Sequence, residues 1–136
     1  NFKEQILSTH WKDALESVEG LNSIATLTVH IQYYIKGVTK VLQGGALEIR
    51  DMYSFESPPI QSQAHWNELT DRFCNDSETF ISLVEVMTKE ELLACFVDQK
   101  YGDYQRNIDL MIEHAYYHLG QILILKKLLN KRKINR

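Results

Sequence analysis

Glycine and proline are scarce, with six and two among 136 residues. An all-β chain of this length would need many tight turns, which these residues supply, so their scarcity argues against one and favours long helices. Only two cysteines occur, Cys74 and Cys95, and they form no C-x-x-C pair. Each lies among apolar neighbours and is expected to be a buried thiol in a reducing compartment. No apolar run approaches the ~20 residues of a membrane span and no secretory signal is visible, so a cytoplasmic protein with no membrane partner is expected. Aromatics are absent from the basic end of the chain. Residues 126–136 carry six of the fifteen positive charges and no acid, which leaves nine positive against eighteen negative charges elsewhere. A basic helix end complements the helix dipole. The acidic body would repel a phosphate backbone, so no nucleic-acid partner is expected.

Hydrophobic residues make up 44% of the chain, enough to exclude disorder and to build one core from a single domain, residues 1–136. Apolar spacing of three and four residues predicts four helical segments. The first spans about 2–18, with Phe2, Ile6, Trp11, Ala14, Leu15 and Val18 as its stripe and Gly20 as its stop. The second spans about 22–43, capped by Asn22 or Ser23 and halted at Gly44-Gly45. Residues 44–60 show no period, and Pro58-Pro59 punctuates them, as in a long loop that crosses a bundle or covers a site. The third spans about 61–87, with Trp66, Leu69, Phe73, Phe80, Leu83, Val84 and Met87 inward. Thr88-Lys89-Glu90-Glu91 matches a capping box and should open a short helical turn. Cys95 to Val97 reads equally as loop or short strand. The fourth helix spans about 103–131, and Leu110, Met111, His114, His118, Gln121, Ile122, Leu125, Leu128 and Leu129 follow its seam.

The chemistry concentrates in His114-Ala115-Tyr116-Tyr117-His118. Residues four apart share one helix face, roughly 5–6 Å apart at Cβ, so two imidazoles can converge on one ion. They lie in an apolar seam, where an unpartnered polar side chain costs roughly 1–3 kcal/mol, and a shared cation would partner both. His30, in line with Leu27, Tyr34 and Gly37 on the second helix, is the best third ligand. His10 and His65 sit in more polar surroundings and are weaker candidates. The Glu of an H-E-x-x-H protease helix is replaced by Ala115, and no Glu-x-x-His pair exists, so metalloprotease and di-iron readings are set aside. Three neutral ligands suit one divalent ion and leave a position open for water or substrate. Gly120 and Gly37 suggest close approach by neighbouring helices. Tyr33, Tyr34 and Tyr117 read as packing or pocket lining, and Gln121 as bonding a loop or orienting a ligand.

At these residues the chain resembles the DinB-like superfamily, which includes YfiT-like proteins and low-molecular-weight thiol transferases. His114-Ala-Tyr-Tyr-His118-Leu-Gly-Gln-Ile122 looks like the last-helix signature. Leu27-Thr-Val-His30-Ile-Gln-Tyr-Tyr34 looks like the segment that carries the first ligand, and Thr88-Lys-Glu-Glu-Leu92 like the segment before the last helix. The Trp-rich lead-in common in relatives is missing. The resemblance implies an all-α four-helix bundle with a long crossover between helices 2 and 3. It also implies a zinc or nickel ion on His30, His114 and His118, and frequently a homodimer. It further implies a metal-dependent enzyme on a small-molecule substrate: transfer of a low-molecular-weight thiol to an electrophile, with the metal activating the thiolate. A hydrolase using metal-activated water, or a non-enzymatic metal- or ligand-binding stress-response bundle, are the alternatives.

Overall fold

The computed structural model describes residues 1–136 and contains helices and loops, with no strand. Six α-helices follow in order: α1 (Phe2–Leu7), α2 (Trp11–Leu15), α3 (Ile24–Leu42), α4 (Gln63–Glu85), α5 (Lys89–Leu93) and α6 (Tyr104–Ile134). Short 3-10 turns occupy Asp51–Tyr53 and Gln99–Tyr101. Side-chain caps begin the long helices, as their sequences require: Ser23 accepts from the Thr26 N–H at 3.1 Å, Ser62 from His65 at 3.1 Å, and Asp103 from Arg106 at 2.8 Å. Thr88 caps α5 through the Glu91 N–H at 3.1 Å. α3 ends at Gly44, whose φ of +90° only glycine adopts at little cost.

α3 is the central element. Ile24, Ala25, Leu27 and Thr28 through Ile31 are all buried, because α2, α4, α6 and the loop after α3 cover it on several sides. Trp66, Leu69, Phe73 and Phe80 of α4 and Met111, Ile122, Leu125 and Leu129 of α6 close the core around it. Phe2 stacks on Phe73 with ring centroids 4.6 Å apart, which fastens α1 to α4.

The expected first helix is broken. Thr9 and His10 separate α1 from α2, and partners distant in sequence hold the break open. The buried Trp66 indole donates to the Thr9 carbonyl at 3.0 Å, and the Trp11 N–H donates to Gln63 Oε1 at 3.2 Å. Both backbone groups are satisfied outside a helix, so continuing it gains nothing there. Cys95 to Val97 form no strand, only one antiparallel bridge from Cys95 to Asp103. Cys95 is exposed and Cys74 only partly covered, against the expectation of two buried thiols; Phe96 takes the core position beside Cys95. Leu110 and Leu15 are also exposed, because Ile108 and Met111, and Ala14 and Val18, take the core positions at those turns.

The basic end of α6 meets acids. Arg132 pairs with Glu16 and Glu19 at 3.6 and 3.3 Å, and Lys133 pairs with Asp13 at 2.5 Å. Lys126 donates to the Gln5 carbonyl, Gln5 Oε1 and Ser8 Oγ at 3.0, 3.1 and 2.8 Å. Much of the charge excess is therefore turned onto α1, α2 and the segment after them. No helix is long and apolar enough to cross a membrane.

Candidate metal centre

α3 and α6 pack side by side and bring His30, His114 and His118 together, with one ligand atom from each lying within 4.8 Å of the others. The Nε2 atoms of His30 and His114 are 3.1 Å apart, and those of His118 and His114 are 3.0 Å apart. His30 and His118 are buried and His114 is half-buried. His10 and His65 are elsewhere and cap backbone instead. His10 Nδ1 accepts from the Lys12 N–H at 3.3 Å, and His65 Nδ1 accepts from the Gln61 N–H at 3.1 Å.

The outer nitrogens fix which face each ring presents. Gln121 Oε1 can only accept, so His118 donates its Nδ1–H to it at 2.6 Å. Ser54 Oγ donates to the Asp51 carbonyl at 2.7 Å, which commits its proton. His30 therefore donates its Nδ1–H to Ser54 Oγ at 3.0 Å. Both rings then carry a lone pair on Nε2, aimed at His114. A neutral His114 has at most one Nε2 proton to offer two such acceptors, so one lone pair always faces another nitrogen at close range. Three neutral imidazole nitrogens converging in this way are a donor set that fits a divalent cation. A tetrahedral zinc site with bonds of about 2.0–2.1 Å spaces its nitrogens by about 3.3 Å, slightly wider than these.

Burial reinforces the neutral state. It pushes the His30 pKa from 6.5 down to about 4, helped by the other two imidazoles and opposed by the Asp51 carboxylate. Burial also lowers the pKa of His114, with His118 adding to the shift and Asp51 again opposing. A depressed pKa means that the unfolded chain takes up protons the folded one refuses. The stability tied to His30 is therefore complete above pH 6.5 and declines as pH falls toward 4. We expect metal-free protein to lose unfolding free energy across that window. The loss should be visibly smaller in His30→Gln when urea unfolding is followed at several pH values.

Aromatic rings frame the cluster. Phe55 stacks on His30 with centroids 4.4 Å apart and planes 11° apart. Tyr34 meets His30 and His114 edge-on, each at 5.0 Å. Tyr117 lies edge-on to His118 at 5.0 Å. A small, mostly apolar cleft of about 290 Å³ between Leu21, Leu27, Ile124 and Leu125 includes Gln121, the partner of His118, in its lining.

Sequence reasoning left Gln121 with two roles, and in the structure it bonds the candidate ligand His118. It missed Ser54 and Phe55 altogether, since nothing in a loop without period signals which residue reaches back to α3. Gly120 has no close neighbour, contrary to expectation, while Gly37 is approached by Ile49 of the loop rather than by a helix. Outer partners of ligating histidines typically govern affinity by 10–100-fold. Gln121→Leu is accordingly expected to weaken zinc binding by roughly that factor, as read by competition with a chromophoric chelator. Comparison with protein-family models, with curated proteins and with solved structures finds no match to this chain.

Proposed function

We propose that the chain is a metal-dependent enzyme of DinB-like type, a four-helix bundle in which α1 and α2 together stand as one member beside α3, α4 and α6. One divalent ion, zinc or nickel, would be held by His30, His114 and His118. The observation that carries this reading is the convergence of three Nε2 atoms, two of them fixed as acceptors by Nδ1–H bonds to Ser54 and Gln121. A bound ion supplies Lewis acidity, which favours the thiolate of a low-molecular-weight thiol at neutral pH. The reaction is transfer of that thiol to a small electrophile: the S–H proton passes to solvent, a C–S bond forms, and the bond from that carbon to its leaving group breaks.

The chain's own residues orient the centre and shield it. Gln121 and Ser54 hold two imidazoles in one tautomer. Phe55 and Tyr34 cover the cluster on the α3 side. The cleft beside Gln121 offers apolar surface to the carbon skeleton of a substrate. Two unpaired thiols agree with a cytoplasmic, reducing setting. A homodimer belongs to the same reading and is supported by exposed Ile81, Ile112 and Tyr116 around an apolar groove of about 550 Å³.

Zinc- or nickel-loaded protein should conjugate a thiol such as bacillithiol, mycothiol, glutathione or cysteine to a chromogenic electrophile faster than the thiol reacts alone. The acceleration should vanish in His118→Ala. No acceleration with any of these thiols, or equal rates in His118→Ala, would refute the enzyme reading.

A further inference from the structure

Positions 30, 33 and 37 of α3 share one helix face, and each holds a successive point of the crossover between α3 and α4. At Gly37 the absence of a Cβ admits Ile49, whose Cγ1 and Cδ1 would overlap any side chain there. At Tyr33 the hydroxyl accepts from the Arg50 N–H at 2.8 Å and donates to the Arg50 carbonyl at 3.1 Å. At His30 the ring donates to Ser54 and stacks against Phe55. The crossover therefore runs antiparallel along α3, and its 3-10 turn carries Ser54 to the ligand. Ser54 is fully buried, whereas Met52 and Tyr53 on the same turn are exposed. The turn thus points one hydroxyl inward and little else, and its placement depends on the contacts at 33 and 37.

We propose that Tyr33 is a positioning residue for the metal centre. It sets the register of residues 49–55 on α3 so that Ser54 receives the His30 Nδ1–H, and metal binding and docking of the crossover strengthen each other. This rests on the three-histidine reading above. Coupling of two equilibria is reciprocal, so a clamp that improves metal affinity must itself be tightened by the metal. Tyr33 touches no ligand, and its ring is retained in Tyr33→Phe, which removes only the two hydrogen bonds to Arg50.

The test is zinc titration of the whole chain against a chromophoric chelator, combined with hydrogen exchange over residues 49–55 and ¹⁵N shifts of the His30 ring. Tyr33→Phe should weaken zinc binding roughly 3–10-fold, the worth of one or two hydrogen bonds. Ser54→Ala should weaken it roughly 10–100-fold. Zinc should slow amide exchange over 49–55 in the wild-type chain and do so less in Ser54→Ala. The His30 ring should hold its Nδ1–H tautomer in the metal-free wild type and lose that preference in Ser54→Ala, a change that general destabilisation does not produce. Adding Tyr33→Phe to His30→Ala should change residual zinc binding no further. Wild-type zinc affinity in Tyr33→Phe, or exchange indifferent to zinc, would overturn the clamp while leaving the metal centre standing. A wild-type chain that binds no zinc would overturn the metal centre and the clamp with it.

Discussion

His118→Ala is expected to abolish the thermal shift that zinc produces while changing the metal-free protein little. At a zinc concentration 100 times the dissociation constant, binding stabilises the wild-type fold by about 2.7 kcal/mol, a rise in Tm of roughly 8 °C for a chain of this length. Loss of one of three nitrogen donors should reduce affinity by more than about 100-fold, beyond what an outer partner alone controls. The shift then disappears at the same concentration. The metal-free protein tolerates the change because the imidazole it loses is one of three crowded nitrogens, 3.0 Å from its neighbour with no proton to spare. The opposing cost is a small cavity and an exposed Gln121 acceptor. His10→Ala and His65→Ala serve as controls, since each removes only a cap; both should keep the full zinc shift. Differential scanning calorimetry of the three variants, with and without zinc, decides the matter. A His118→Ala protein that keeps the shift would mean that the ion binds elsewhere.

Trp66→Ala is expected to cost about 3–5 kcal/mol, the largest stability effect of any single substitution considered. Trp66 is 1% exposed, and its indole fills the space between α4 and the α1–α2 break. Truncation removes that volume and also orphans the Thr9 carbonyl, a group 57 positions away whose bond to Trp66 keeps the first helix from running on. Trp66→Phe separates the two effects: most apolar area remains, the hydrogen bond goes, and the expected cost falls to about 1–3 kcal/mol. Because the three candidate ligands sit on α3 and α6, folded Trp66→Phe should bind zinc with wild-type affinity. Urea unfolding measures the first quantity and chelator competition the second. A Trp66→Phe protein as stable as wild type would show that the Thr9 carbonyl finds another partner and that the break has a different cause.

Local chemistry made much of this architecture legible. The caps at Ser23, Thr88 and Asp103 and the stop at Gly44 act through neighbours within a few residues, so their meaning is written beside them. The apolar stripes of α3 and α4 are equally local in origin. His114 and His118 advertised themselves because four-residue spacing on a seam leaves little freedom, and His30 because it lies on an inward stripe. What stayed hidden depends on partners remote in the chain. The break at Thr9 and His10 needs Trp66 and Gln63. The role of Ser54 needs the crossover to be laid antiparallel on α3, which no periodicity encodes. Leu110 looked inward because it keeps the heptad spacing, yet at its turn Ile108 and Met111 take the inward positions and Leu110 is left outside. Cys95 looked buried because its neighbours are apolar, but the bridge to Asp103 turns Phe96 inward in its place.

The most direct test of the three-imidazole centre is anomalous diffraction at the zinc edge from crystals of untagged protein grown with zinc. One strong peak is expected between α3 and α6, about 2.0–2.1 Å from Nε2 of His30, His114 and His118. The absence of a peak there, or a sole peak at His10, His65 or a surface carboxylate, would contradict it.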